Sequence, residues 1–232
     1  MQIQNKLIIT EDGSHTIFVP ALDEHYHSVH GAVNESLHIY INSGLKYHTK
    51  KEINLLEVGF GTGLNAYLSL AVAIQQNINI QYFTIEKYPL PEAEYKALNY
   101  PSLIFPEYSP FFLQLHQLEW NKEQSICSEF SIKKIHADLK TIDYKYLPFF
   151  DLIYYDAFAP GKQPEMWTHE IFEKIARHTN PGGIFVTYCA KGSVRRMLDS
   201  LGFQMERLPG PAGKKEILRG IKHIEGSCLS QK

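Results

Sequence analysis

Nine residues constrain this chain more than any others. Glu57-Val58-Gly59-Phe60-Gly61-Thr62-Gly63-Leu64-Asn65 follows an apolar strand candidate at 53–58 and opens a helical pattern at 63–76. Glycines at such a corner let the backbone turn tightly and approach a ligand, while the helix N-terminus offers unpaired N–H groups. The spacing is G-x-G-x-G. The dinucleotide fingerprint, G-x-G-x-x-G, is not met, because Leu64 stands at its third glycine's place. The strand-end acid Glu57 suits a ligand with an ammonium group better than one with a pyrophosphate. The same glycines would also serve a turn that needs them only for geometry.

The rest of the chain places that corner in a sheet. Further strand candidates lie at 79–85, 131–136, 150–155, 183–189, 203–208 and 215–221, and helical patterns at 63–76, 91–99, 110–121, 168–178 and 192–201 separate most of them. This alternation predicts parallel β-α-β units in a doubly wound α/β sheet of seven strands. The tail breaks the pattern: Pro209-Gly210-Pro211-Ala212-Gly213 is too short to carry a helical crossover, so the last two strands must pair antiparallel. A mostly parallel sheet ending in an antiparallel hairpin is the outline of class I methyltransferases, a Rossmann-like fold. Upstream, 3–9 and 15–20 flank the turn Glu11-Asp12-Gly13-Ser14 and predict a hairpin, with a short helix in 32–44. The expected organisation is an N-terminal extension at 1–50 packed on a main domain at 51–225.

Composition narrows the class. An apolar fraction of 44% over 232 residues supports a proper core and excludes wholesale disorder. No run approaches the roughly 20 apolar residues of a membrane-spanning helix, and the start lacks a leader-like apolar stretch. Three cysteines (Cys127, Cys189, Cys228) form no C-x-x-C pair, and His25, His27 and His30 have no acid or thiol at metal-ligand spacing. A reduced, cytoplasmic protein without a metal is expected. The net charge of −2 argues against a nucleic-acid partner until it is divided. Residues 191–222 hold eight basic and three acidic side chains, whereas residues 1–50 hold three basic and five acidic. A basic C-terminal segment can engage phosphates, although the same charges would also serve a solvated helix face.

Candidate ligand residues cluster at predicted strand ends. Glu86, followed by Lys87, ends the second main strand at the distance expected of an acid that hydrogen-bonds ribose hydroxyls. Asp138-Leu139 ends the third, where an aspartate can accept from an adenine amino group; a turn cap is the plainer reading. Together with Glu57, Gly59, Gly61, Gly63 and Asn65, these residues suit S-adenosylmethionine, which has an ammonium group and no phosphate. Asp156 ends the fourth strand and should face the reacting group. In the loop after it, Pro160 and Pro164 add stiffness, Phe158 and Trp167 offer flat apolar surface, and Lys162 adds a charge, unless the aromatics are core and the lysine merely solvated. Cys189 has no evident base partner.

These residues resemble the tRNA 5-aminomethyl-2-thiouridine methyltransferase family, in its stand-alone MnmC-like (MnmD-type) form. The matching stretches are His25-Tyr26-His27-Ser28, Gly31-Ala32, Glu35-Ser36, EVGFGTGLN (57–65), IEKYPL (85–90), DAFAPGKQPEMW (156–167), GGIFVTYCAKGSVRRMLDSLGF (182–203) and GKKEILRG (213–220). The family's loop commonly reads D-G-F-A-P-x-K-N-P-D-M-W, from which Ala157, Gln163 and Glu165 depart. The resemblance implies S-adenosylmethionine as cofactor, tRNA as partner, and N-methylation of the 5-aminomethyl group of the wobble uridine. It implies Asp156 as the catalytic residue, orienting the amine first and accepting its proton second. It assigns Phe158, Pro160, Lys162, Trp167, Arg195, Arg196, Lys214 and Lys215 to the substrate. In bifunctional relatives an FAD-dependent oxidase half removes a carboxymethyl group; this chain is too short to hold it, so a separate oxidase or other upstream tRNA-modifying enzymes are the expected suppliers of the amine. Other readings are a small-molecule methyltransferase, an aminopropyltransferase, or a non-catalytic tRNA- or nucleotide-binding module.

Overall fold

Residues 52–58 (EINLLEV) alternate little and are apolar on both faces, as a central strand covered on both sides must be. In the computed structural model, which describes residues 5–224, they form β4 (Glu52–Val58) at the middle of an eight-stranded sheet. β5 (Asn79–Glu86), β7 (Phe130–His136), β8 (Phe150–Tyr155) and β9 (Thr179–Thr187) lie parallel to it. β11 (Glu216–Lys222) enters antiparallel between β9 and β10 (Phe203–Pro209), so the tail forms the expected hairpin.

The eighth strand is a departure from the expected seven. β6 (Glu123–Cys127) pairs antiparallel with the edge of β7. Its sequence, EQSIC, is polar and carries no strand periodicity, which suits an edge exposed to solvent. The expected helix at 110–121 stops at Gln117. Asn121 then takes a left-handed conformation (φ 63°), its N–H donating to the Lys134 carbonyl at 2.6 Å, and turns the chain into β6.

Helices cover both faces. On one side lie α2 (Leu64–Gln76) and α5 (Ser109–Gln117), with the short α3 (Glu92–Lys96) and α4 (Tyr100–Leu103); on the other lie α6 (His169–Arg177) and α7 (Gly192–Ser200). In the N-terminal segment, β1 (Lys6–Ile9), β2 (His15–Val19) and β3 (Glu24–His25) make a small antiparallel sheet. The expected helix at 32–44 is α1 (Ala32–Ser36) continued by a π-helical turn over Leu37–Asn42. Its Ile39, Tyr40 and Ile41 are buried with Leu55, Tyr82 and Tyr154 of the main sheet, in one continuous core. No helix among the described residues is long and apolar enough to cross a membrane. Two expected boundaries, Ile3 at the start of the hairpin and residue 225 at the end of the main domain, lie outside the described residues, as does Cys228.

Candidate active site

A cavity of about 910 Å³ opens where β4, β5 and β8 end. That is where open α/β sheets bind ligands, because the crossovers diverge there. The glycine corner forms its floor. Gly59, Gly61 and Gly63 all have positive φ (91°, 48° and 72°). A Cβ at Gly61 would lie 2.8 Å from the Tyr26 ring, and one at Gly59 would lie 2.9 Å from the Asp156 carbonyl oxygen. The glycines are therefore demanded by the protein's own packing against the corner, independently of any ligand.

The corner is held from two directions. On one side, the His27 Nε2 atom lies 2.6 Å from the Thr62 hydroxyl, and burial pushes His27 down to about 4. On the other, His116 Nε2 donates to the Thr62 carbonyl at 3.1 Å, and the Lys134 ammonium donates to the His116 carbonyl at 2.6 Å. Burial also holds His116 at about 3 and Lys134 at about 8, with the Lys134 ammonium 4.6 Å from the Trp120 ring centroid. Of His25, His27 and His30, His27 thus braces the loop. His25 packs on Phe18 and His30 bonds Glu11.

Several sequence-predicted residues meet in the cavity wall: Gly59, Gly61, Glu86, Lys87, Asp138 and Leu139, together with Asp156, Phe158, Lys162 and Lys214. Glu86 accepts from the Gly61 N–H at 3.1 Å through one oxygen and from the Tyr88 N–H at 2.8 Å through the other, so the end of β5 is tied to the glycine corner. Each oxygen keeps a lone pair. Asp138 bonds the Lys87 ammonium at 3.0 Å. Burial works to raise its pKa, but the Lys140 N–H and the Lys87 ammonium outweigh this and hold it below the usual value.

Asp156 is the most unusual group. Tyr40, set inward by the π-helical turn, donates to one carboxyl oxygen at 2.6 Å, and Asn65 donates to the other at 2.8 Å. Burial dominates these bonds and pushes the carboxyl up to about 7. A carboxyl with that value can both hold and release a proton near neutral pH.

Other predicted residues are elsewhere. Glu57 is fully buried in a layer with Tyr82, Thr84 and Asn65, whose polar groups work to lower its pKa but are outweighed by burial. Burial raises its pKa well above the ordinary carboxylate value, and it is not presented to the cavity. Gly63 and Asn65 support the wall from behind. Trp167, 6% exposed, packs on Tyr155 and donates its indole N–H to the Phe158 carbonyl at 2.8 Å; it fixes the loop that carries Phe158 rather than offering surface. Pro160 is outside the wall as well. Arg195, Arg196 and Lys215 lie on α7 and the β10–β11 loop, away from the wall. Residues the sequence reading missed are Tyr26, His27, Glu35, Tyr40 and Tyr188. Of these, Tyr26, His27, Glu35 and Tyr188 sit in stretches already matched to a family, which was the available signal.

A family model for S-adenosyl-L-methionine-dependent methyltransferases matches residues 102–223, more than half of the chain. The chain belongs to that methyltransferase family. Among curated relatives, it is 35% identical over 173 residues to the tRNA 5-methylaminomethyl-2-thiouridine biosynthesis bifunctional protein MnmC of Nitrosospira multiformis, covering 71% of this chain and 27% of that protein. The same-named protein of Pseudomonas fluorescens is 31% identical over 217 residues, covering 85% and 32%. The chain therefore spans about a third of the length of the curated relatives it matches. The crystal structure of MNMC2 from Aquifex aeolicus superposes with a TM-score of 0.74 at 25% identity, covering 94% of this chain and 70% of that one. The mostly parallel sheet with its antiparallel final hairpin is thus the class I methyltransferase fold.

Proposed function

We propose that this methyltransferase moves the methyl group of S-adenosylmethionine to the primary amine of a 5-aminomethyl(-2-thio)uridine at the wobble position of tRNA, in the cytoplasm. The names of the relatives support the substrate, and the placement of Asp156 carries the chemistry. The cofactor fits the wall. Glu86 bonds the glycine corner as an acid, which suits a ribose diol and repels a pyrophosphate, and the adenine would lie where Asp138 and Leu139 meet the wall. When bound, the cofactor supplies an electrophilic methyl group beside a sulfonium cation.

An alkyl amine resembles lysine, with a pKa near 10, so at pH 7 freeing its lone pair costs about 4 kcal/mol. An ordinary aspartate would be a poor acceptor for that proton. Raised to about 7, Asp156 narrows the mismatch by roughly three units, about 4 kcal/mol. Tyr40 and Asn65 fix both carboxyl oxygens, so the same group orients the amine for in-line attack. Orienting the amine and accepting its proton are then comparable roles of this carboxyl, rather than orientation first and proton acceptance second. Asp156→Asn should keep S-adenosylmethionine affinity within about threefold by calorimetry. It should lose about 10² to 10⁴ in single-turnover methyl transfer, and turnover within threefold of the parent would contradict the assignment.

The tRNA surface is narrower than the sequence suggests. Arg195 faces Asp199, Arg207 faces Glu216, Arg219 faces Glu206, and Lys214 faces Glu35, each within 4 Å. Lys191, Arg196 and Lys215 are exposed and have no acid partner among the described residues, which makes them the proposed phosphate contacts. The amine itself comes from another reaction, and an FAD-dependent oxidase or other upstream tRNA-modifying enzymes are its proposed suppliers.

A further inference from the structure

Resting on that reading, we infer that Glu35 and Lys214 recognise the Watson–Crick edge of the target base and so restrict methylation to a uracil-type ring. Both side chains line the same cavity as Asp156. Glu35 comes from α1 and is 7% exposed; Lys214 comes from the β10–β11 loop on the far side of the sequence. Their carboxylate and ammonium are 3.0 Å apart. The Ser28 N–H donates to the second Glu35 oxygen at 2.8 Å, and the Lys214 ammonium lies 4.9 Å from the Tyr188 ring centroid. Tyr188 is fixed in turn by donating to the Ala157 carbonyl at 2.8 Å, on the loop next to Asp156.

Holding such a pair is costly, since the Glu35 carboxylate leaves water almost completely and the Lys214 ammonium leaves it in part. A fold can do without it, so its presence in a ligand cavity calls for a ligand that uses it. After the bonds just named, the Lys214 ammonium retains N–H donors and the Glu35 carboxylate retains acceptor lone pairs. The cavity therefore presents a donor and an acceptor side by side, both a short way from the group that takes the amine.

A 5-aminomethyl uracil ring presents the complementary order. Next to the carbon bearing the aminomethyl arm is the C4 carbonyl, an acceptor, and next to that is the N3–H, a donor. With the amine on Asp156, Lys214 donates to the C4 oxygen and Glu35 accepts from N3–H. Cytosine reverses both positions, with an amino group at C4 and a lone pair at N3. It would set donor against donor and acceptor against acceptor. No covalent step is involved; the pair acts by binding.

The test uses two anticodon stem-loop RNAs that differ only in the target base, 5-aminomethyluridine or 5-aminomethylcytidine, with methyl transfer measured as kcat/KM. The unaltered protein should prefer uridine by at least about 100-fold, because a site built for hydrogen bonds strongly rejects the mismatched analogue. Glu35→Gln should reduce that preference below about tenfold, since an amide can donate as well as accept. Because Lys214→Met alone would leave a buried carboxylate unpaired, the double variant Glu35→Gln/Lys214→Met is measured too and should show the same loss of preference. S-adenosylmethionine affinity, read by calorimetry, should stay within about threefold in each variant.

An unchanged uridine preference in the variants would overturn the inference. So would equal use of both bases by the unaltered protein. Loss of cofactor affinity with base preference intact would assign the pair to the methionine end of the cofactor and overturn it as well. Absence of turnover on either RNA by the unaltered protein would remove the proposed function itself, and this inference with it.

Discussion

The proposed chemistry rests on one carboxyl, that of Asp156, and its environment makes the consequences measurable. If the ionised form accepts the amine's proton, kcat/KM should rise with pH through about 7 and flatten above it. Tyr40 stabilises that ionised form by donating to it, so Tyr40→Phe should move this limb upward by about one pH unit while leaving cofactor affinity unchanged. Stability should respond with the opposite sign. A carboxyl whose folded-state pKa is above its unfolded value of 3.8 helps the fold at low pH, and that help is lost as pH climbs through about 7. Asp156→Asn, free of that loss, should therefore melt a few degrees above the parent at pH 8 and by a smaller margin at pH 5.5. Equal margins at both pH values would contradict the raised pKa. Asp156 was legible in the sequence because a strand end places it at the ligand edge. Its proton affinity was not, because the desolvation and Tyr40 come from a segment more than a hundred residues away.

At the scale of elements, the glycine corner gains its shape from neighbours rather than from its own sequence. Gly61→Ala sets a Cβ against the Tyr26 ring at a φ of 48°, and S-adenosylmethionine affinity should fall by about tenfold or more. Gly182 offers a matched comparison. It also has positive φ (76°), but a Cβ there meets nothing within 4 Å, so Gly182→Ala should lower the melting temperature and spare the cofactor affinity. Equal effects on affinity would show that backbone strain, not the Tyr26 contact, governs the corner. The parallel strands and the final hairpin were readable because their apolar runs and short loops leave few alternatives. β6 was not, since a polar edge strand buries little and has no period to detect. Nor was the π-helical turn, since the inward swing of Tyr40 is settled by packing against Tyr154, 5.1 Å away, and by the Asp156 carboxyl.

Across the whole molecule, the N-terminal segment and the main sheet share a core. Ile17, Ala32, Val33, Ile39, Tyr40, Ile41 and Leu45 are all buried in the cluster that holds Leu55, Tyr82 and Tyr154. Reading residues 1–50 as an extension packed on the main domain therefore understates them, and we propose one folding unit. Removing residues 1–50 should abolish the cooperative thermal transition; a truncated chain that melts cooperatively would refute this. Association with tRNA should depend on salt only moderately, with a slope of log K against log salt of about −3 or shallower for three phosphate contacts. Arg196→Glu with Lys215→Glu should weaken it more than Arg195→Glu, whose guanidinium already faces Asp199. Transfer of a methyl group to one base of tRNA is the proposed step on which the rest depends. It is tested most directly by incubating the protein with methyl-labelled S-adenosylmethionine and tRNA lacking only this methyl group, then digesting the RNA to nucleosides. Label is expected in 5-methylaminomethyl-(2-thio)uridine alone. Label confined to a small-molecule fraction, or to any other nucleoside, would contradict it.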